Sequence, residues 1–212
     1  LDFRGFAGTI ASGVLRPGDE VIAVPSGVRT TVDRIVTFDG DLDIAGPGRA
    51  VTVTLTEEID VSRGDWLVSV ADQPHRAHDV DAMIVWMDTQ EGLPGRQYLL
   101  LSANGPSNAS LRDIAHRIDV NTLAEEPADR LGLNDVARCA LTADRELLFD
   151  PYQQNRGTGS FVLIDRLSNA TVAAGMILGA SSGWDKAAPA GLTHRRSEIT
   201  SHERVGRLGQ RP

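Results

Sequence analysis

Few residues of this sequence have the types and spacing that chemistry requires. A nucleotide-binding P-loop needs Gly-x-x-x-x-Gly-Lys-Ser/Thr, in which backbone amides and one ammonium group hold the phosphates. The only lysine among the 212 residues is Lys186, which follows Asp185 and precedes Ala187. The sequence therefore contains no P-loop, and it also lacks the Asn-Lys-x-Asp tetrapeptide that recognises a guanine base.

Two shorter motifs are compatible with phosphate binding. Asp-x-x-Gly, a pattern of γ-phosphate switches, occurs at Asp2–Gly5 and at Asp129–Gly132. A motif with two fixed positions matches easily by chance, so neither copy is interpreted as a switch. Gly157–Ser160, with the sequence GTGS, could form an amide nest for an anion or a plain loop before the apolar segment that follows. The loop is the simpler interpretation.

The cysteine and histidine residues offer two further sites. Cys139, in the run ARCAL, is either a nucleophile or a small core residue, and its apolar neighbours favour the core. His75 and His78 could form a metal pair, but Pro74 disfavours a helix there and no carboxylate lies nearby at zinc spacing. We interpret both as linker histidines. The sequence thus predicts no catalytic, no cofactor-binding and no metal-binding residue in this chain.

Composition and charge narrow the class of protein. Hydrophobic residues make up 41% and charged residues 24%, and the net charge is −8. This acidic balance argues against nucleic acid as the main partner.

No apolar run approaches the roughly 18 residues of a membrane helix, and no signal peptide is recognisable. With a single cysteine, a cytoplasmic protein is expected. The first residue is Leu1, so we expect a piece of a longer protein.

The first part of the chain has the pattern of a β-barrel. GTIASGVLRPGDEVIAVPSG, residues 8–27, predicts a strand at Thr9–Ala11, tight turns and a second strand at Val21–Val24. Further strands are predicted at Val28–Val36 and at Ala50–Leu55, where apolar and polar residues alternate. Short strands separated by Gly/Pro turns favour a closed barrel, which leaves no exposed edge. We predict a first barrel over residues 1–76.

A second set of strands follows a polar linker at residues 71–78. Strands are predicted at residues 81–87, 97–101, 136–141, 161–165 and 171–178, in a second barrel over residues 77–178. Residues 110–118 are ambiguous because Leu111, Ile114 and Ile118 have helical spacing. Since all neighbours are strands, we predict a strand there. Residues 179–212 are rich in Ala, Gly, Ser and Pro and carry net charge +3, which is typical of a flexible linker.

Longer motifs carry a family resemblance. Gly8-x-Ile10-x-x-Gly13, Pro17-Gly18-Asp19 and Asp60-x-x-Arg63-Gly64-Asp65 resemble the second domain of translation-factor GTPases such as elongation factor Tu. The second half is similar to the third domain of the large, GTPase-type subunit of sulfate adenylyltransferase. The motifs there are DAMIVWMDTQEGLPGRQYLLL, HRIDVNTL and LLFDPYQQNRGTGSFVLIDRLSNATVAAGMI. The end of the chain, SEITSHERVGRLGQRP, is similar to the lead-in of adenylylsulfate kinase.

The resemblance implies an all-β fold of two consecutive translation-factor-type barrels and a role in making adenylyl sulfate from ATP and sulfate. GTP and Mg would be held by an upstream GTPase domain and ATP by a downstream kinase domain. The expected partners are that GTPase domain and the small, adenylyl-transferring subunit, with no nucleic acid and no membrane. The alternatives are a translation-factor-like RNA-binding module and a passive structural spacer.

The resemblance also indicates candidate contact surfaces. Basic residues are frequent in the family after the strand that contains Tyr98, whereas residues 102–108 here are uncharged. We expect the exposed loops, including 102–108 and Asp150–Ser160, to contact the small subunit.

The absence of a P-loop gives a first prediction. The isolated chain should bind guanine nucleotides more weakly than about 1 mM, a binding free energy of about 4 kcal/mol. Titration with GTP in the presence of Mg²⁺, followed by calorimetry, measures this. Binding in the micromolar range would contradict the interpretation of the sequence.

Overall fold

The first sheet is formed by six short strands in the N-terminal third of the chain. The structure is a computed structural model, and it describes residues 3–181. The strands are β1 (Phe6–Thr9), β2 (Glu20–Val24), β3 (Val28–Thr37), β4 (Gly40–Leu42), β5 (Ala50–Leu55) and β6 (Trp66–Ser69). Their order is β1-β5-β3-β2-β6, with β4 paired to β3.

The second sheet is larger and closes on itself. It contains β7 (His75–Trp86), β8 (Gln97–Ser102), β9 (Gly105–Ile118), β10 (Glu125–Glu126), β11 (Val136–Phe149), β12 (Ser160–Ile164) and β13 (Thr171–Ala180). Its order is β10-β9-β11-β7-β13-β12-β8, and an additional pairing of β8 with β9 completes the barrel. All of these pairings are antiparallel. Within residues 3–181 every regular element is a strand.

Each barrel surrounds its own apolar core. In the first, Val21, Val32, Ile35, Ala45, Val51 and Val53 form one buried cluster. In the second, alternate residues of β7 point inward, because successive side chains of a strand face opposite sides. These are Val80, Ala82, Ile84 and Trp86, each at most 1% exposed. The alternation of apolar and polar residues in the sequence therefore corresponds to side chains that face the barrel core and side chains that face away from it.

Gly175 in β13 provides a flat surface within the second core. The ring of Phe161 in β12 lies across it, and a Cβ at residue 175 would be 2.1 Å from that ring. Phe161 is 3% exposed, so the ring has little room to move. Close packing of this kind explains why a residue without a side chain occupies a strand interior, where glycine is otherwise unfavourable.

The structure confirms a strand at residues 110–118 and explains their helical spacing. Leu111 and Ile114 are both buried although they are three residues apart. Opposite them, the register with β11 shifts between Arg138 and Cys139 and again between Ala140 and Leu141. Each shift adds one residue to β9, and an added residue reverses the alternation of faces. The bulge between Leu111 and Ile114 therefore places both side chains on the core face, whereas Ile118, beyond the second bulge, lies on the other face.

Three predicted boundaries were wrong. The linker placed at residues 71–78 is shorter, because β7 begins at His75 and pairs with β11 there. The first strand is Phe6–Thr9 rather than Thr9–Ala11, since pairing with β5 fixes its position. At the C-terminal side, β13 extends to Ala180, and the amide of Ser181 donates to the carbonyl oxygen of Asp79 at 2.8 Å. The predicted linker beyond Ser181 lies outside the described residues.

The turn between β12 and β13 is held by Asp165. Its carboxylate accepts hydrogen bonds from the backbone amides of Leu167 and Ser168 at 3.0 and 2.9 Å, and from Arg96 at 2.7 Å. The Ser168 amide, the Arg96 guanidinium and the Leu167 amide lower the pKa of Asp165 from 3.8 to about 2. Hydrogen bonds to a carboxylate and a nearby positive charge both favour its ionised form, and they therefore lower its pKa.

This pKa predicts a pH-dependent contribution to stability. Because the folded-state pKa lies below the unfolded value of 3.8, the carboxylate stabilises the fold above that value, and the stabilisation is lost as the pH falls towards 2. The difference in free energy of unfolding between the wild type and Asp165→Asn should therefore shrink over that range. Urea unfolding at a series of pH values measures it. A difference that does not change with pH would contradict the role of the charge.

Candidate interaction surface

The hairpin between β8 and β9 corrects one candidate surface. Residues 102–108 were interpreted as an exposed loop, but only Ala103 and Asn104 form a turn, and β9 begins at Gly105. Asn104 and Ser107 are 6% and 4% exposed. Uncharged residues fit a tight, partly buried hairpin, because a charge there would lose its hydration.

A bulge in β11 holds this hairpin in place. The pairing of β11 with β7 is interrupted between Thr142 and Leu147, and Asp144 lies in the interruption. Its carboxylate accepts from the hydroxyl of Ser107 at 2.6 Å and from the side-chain amide of Asn108 at 2.7 Å. The hydrogen bond from Ser107 has the larger effect and that from Asn108 the next, and both lower the pKa of Asp144. The neighbouring Arg145 donates to the carbonyl oxygen of Asn104.

The same hairpin contacts the first barrel. A Cβ at Gly64 would lie 2.7 Å from the carbonyl oxygen of Asn104, so the loop before β6 touches the turn of the hairpin. Gly64 also has φ +98°, a conformation that side chains disfavour. A second contact joins the side-chain amide of Asn155 to the carbonyl oxygen of Ala11 at 3.4 Å. The two barrels therefore meet at this end of the second barrel.

A groove of about 480 Å³ lies between the hairpin and residues 150–159. The structure thus brings both candidate surfaces together around one cavity. The groove opens on the outer side of β7, β8, β12 and β13, where a solvated sheet would carry polar residues. Its lining is instead mainly apolar and includes Val85, Leu101, Phe161, Val162, Ala174 and Met176.

The segment between β11 and β12 forms the other wall of the groove. Tyr152 donates its amide to the carbonyl oxygen of Ile177 at 2.8 Å, and Thr158 donates its hydroxyl to Asp150 at 2.7 Å. The amides of Gly157 and Thr158 both donate to the side-chain oxygen of Asn155, at 3.0 and 3.4 Å. Residues 157–159 therefore form a loop before β12, in which Asn155 accepts two of the backbone amides.

The other candidate residues, Cys139, His75 and His78, all lie in strands of the second barrel. Cys139 is fully buried in β11, and burial raises the pKa of its thiol to about 12, so the core interpretation is confirmed. His75 stacks on Phe149 with ring centroids 5.7 Å apart, and Nδ1 of His78 lies 3.2 Å from the carbonyl oxygen of Ala143. Both histidines belong to β7 rather than to a linker. In residues 3–181, no three His, Cys, Asp or Glu side chains converge as metal ligands.

The last candidates from the sequence are the two Asp-x-x-Gly copies and the single lysine. Asp129 pairs with Arg130 at 3.1 Å, and Leu131 is buried and bridged to Gly92. The copy at residues 129–132 therefore forms a bend followed by an isolated β-bridge. Asp2 and Lys186 lie outside the described residues.

Comparison with known proteins finds a family model similar to the second barrel. Residues 79–178 match the model of the GTP-eEF1A C-terminal domain-like family. The second barrel is thus similar to that family over nearly its whole length. The match begins within β7 and ends within β13, so it covers the strands that enclose the second core. The hairpin, the β11 bulge and the groove walls all lie inside the matched range.

Relatives confirm the resemblance to the large subunit of sulfate adenylyltransferase. Sulfate adenylyltransferase subunit 1 of Aeromonas hydrophila is 53% identical over 178 residues, which are 84% of this chain and 38% of the relative. That of Chromobacterium violaceum is 50% identical over 194 residues, 91% of this chain and 40% of the relative. The bifunctional enzyme CysN/CysC of Rhodopirellula baltica is 42% identical over 219 residues, 100% of this chain and 34% of the relative. The chain thus spans about two fifths or less of these relatives.

Solved structures confirm the fold. Sup35 complexed with GDP matches with a TM-score of 0.73 and 17% identity, covering 82% of this chain and 43% of that one. The elongation factor SelB from Methanococcus maripaludis matches with a TM-score of 0.66 and 19% identity, covering 82% and 39%. The fold of residues 3–181 is therefore all-β, with two consecutive translation-factor-type barrels. None of these residues forms a helix long and apolar enough to cross a membrane.

The contact at Gly64 allows a controlled test of barrel packing. Gly64→Ala and Gly18→Ala introduce the same methyl group at φ +98° and +90°, but only residue 64 faces another barrel. Gly64→Ala should therefore cost about 1–3 kcal/mol more than Gly18→Ala, the usual penalty of overpacking. It should also accelerate hydrogen exchange at residues 103–105. Equal losses of stability in both variants would contradict the barrel-to-barrel contact.

Proposed function

We propose that this chain is the C-terminal barrel portion of the large subunit of a GTP-dependent sulfate adenylyltransferase, which makes adenylyl sulfate from ATP and sulfate. The observation that carries the proposal is the identity of 53% to a sulfate adenylyltransferase subunit 1 over 84% of the chain. The alignment covers 84% of the chain and so includes both barrels, and we assign both to the same subunit. The net charge of −8 supports this role over RNA binding.

The barrels are proposed to couple two other parts of the enzyme. An upstream GTPase domain, holding GTP and Mg, would supply free energy, and the small subunit would carry out the adenylyl transfer. Coupling between two sites needs a packed element that both contact. The contacts of Gly64 and Asn155 support this role, because they join the two barrels of residues 3–181.

The groove is the proposed docking surface for the GTPase domain, in place of the small subunit that we expected at its two walls from the sequence. Asn155, in the wall of the groove, contacts Ala11 just after β1, so the N-terminal strand of the first barrel lies beside the cavity. The apolar lining fits a domain that remains attached, since a permanent interface is more apolar than a transient one.

The whole protein is further proposed to continue into an adenylylsulfate kinase, which would bind ATP. The relative from Rhodopirellula baltica, named as bifunctional, is aligned with all of this chain, including residues 179–212. The Aeromonas hydrophila relative is aligned over 178 residues only.

Deletion of the barrels tests the proposed function. The whole large subunit and a version lacking both barrels are compared for co-purification with the adenylyl-transferring subunit and for adenylyl sulfate formed per GTP hydrolysed. We expect the shortened version to hydrolyse GTP but to lose coupled adenylyl sulfate formation. If it binds the small subunit as tightly and couples at the full rate, the barrels are passive spacers and the proposal is wrong.

A further inference from the structure

The exposed apolar residues of the second barrel are concentrated at one end. Three connecting segments, residues 87–96, 119–135 and 165–170, form what we call the far end, because the contacts with Gly64 and Ala11 lie at the opposite end. Among residues 75–181, eight large hydrophobic side chains are exposed. Six of them belong to the far end: Met87, Leu93, Val120, Leu123, Leu133 and Leu167. Isolated exposed side chains are normal, whereas a set in adjacent turns marks an interaction site.

These apolar side chains are carried by braced turns. Leu167, 92% exposed, follows Asp165, whose carboxylate accepts the amides of residues 167 and 168. Leu123, 76% exposed, closes a turn in which the carboxylate of Asp119 accepts two amides at 2.8 and 2.9 Å. Leu133 lies in a turn where Asp135 accepts the amide of Gly132 at 2.7 Å.

The hydrogen bonds from backbone amides to these carboxylates fix the conformation of the turns. A turn held by its own carboxylate cannot readily fold its leucine back onto the barrel. The side chains are therefore preorganised for an external surface, which lowers the entropic cost of binding.

Charge indicates the chemistry of the occupant. The three segments contain eight acidic and three basic residues, and Arg117 at the end of β9 adds one further base through its pairs with Glu126 and Asp135. A net charge of about −4 repels nucleic acids and anionic lipids. It also repels a second copy of the same end. The surface fits a protein that presents apolar pockets surrounded by arginine or lysine.

We infer that the far end binds the adenylyl-transferring subunit through an apolar, basic-rimmed surface of that subunit. The inference rests on the proposed function and refines it, because it separates the two partners. The groove beside the first barrel receives the GTPase domain, and the far end receives the small subunit. The second barrel then lies between them, which is the position that coupling requires.

The test uses the whole large subunit with the double substitution Leu123→Asn and Leu167→Ser. Asparagine accepts the positive φ of residue 123, which is 60°, so this substitution does not strain the turn. The matched control is Phe38→Ser, because Phe38 is a fully exposed hydrophobic residue in the hairpin between β3 and β4 of the first barrel. Titration calorimetry gives the Kd for the small subunit, and GTP hydrolysis without that subunit is measured in parallel.

We expect the double variant to raise the Kd at least tenfold while the GTP hydrolysis of the large subunit alone is unchanged. Phe38→Ser should leave the Kd unchanged, and rising salt should weaken the wild-type complex. A wild-type Kd in the double variant would overturn the inference, as would a loss of self-association in place of a loss of small-subunit binding. If the wild-type protein does not bind the small subunit at all, the proposed function itself fails.

Discussion

The pairing of β8 with β9 is the interaction on which the rest of the structure depends. It closes the second barrel, because without it β8 would be an open edge and β9 would have only the two residues of β10 on its other side. It also creates the turn at Ala103 and Asn104, which meets Gly64 of the first barrel. One hairpin therefore completes a core, joins two barrels and forms a wall of the groove. The bulge at Asp144 and Arg145 fixes its position from outside.

The two ends of the second barrel differ in character. One end contacts the first barrel and carries the apolar groove, while the other presents leucines on braced, acidic turns. Strands that run the length of a closed barrel connect these ends rigidly, because each strand is paired on both sides. A domain at one end and a partner at the other would share β7, β11 and β13, so a shift at one surface is felt through packed strands rather than through a flexible loop.

Local patterns predicted most of the strands, since alternation and Gly/Pro turns are properties of a few neighbouring residues. The strand at 110–118 required tertiary information, because the bulges at Arg112 and Ala115 depend on the register with β11. The short strands β4, β6 and β10 were missed, since two to four residues do not establish a period.

The contact surface was harder to predict than the strands. Gly64 belongs to a recognisable motif, but only the folded chain brings it to Asn104. The roles of Asp144 and Arg145 gave no sequence signal, because their partners lie about 40 positions away. The far end was also missed, since its leucines come from three separate segments and are grouped only by the fold.

The contacts between the barrels have a common chemical feature with an evolutionary consequence. Gly64 packs against the carbonyl oxygen of Asn104, and Asn155 donates to the carbonyl oxygen of Ala11. On the receiving side, each contact is therefore made to main chain, which every amino acid supplies. Residue 11 can therefore change in identity without altering its contact, whereas Asn104 is also held through its side chain, which accepts from the hydroxyl of Ser102 at 2.9 Å. Selection at this junction would therefore act on few side chains, with residue 104 constrained and residue 11 free to vary.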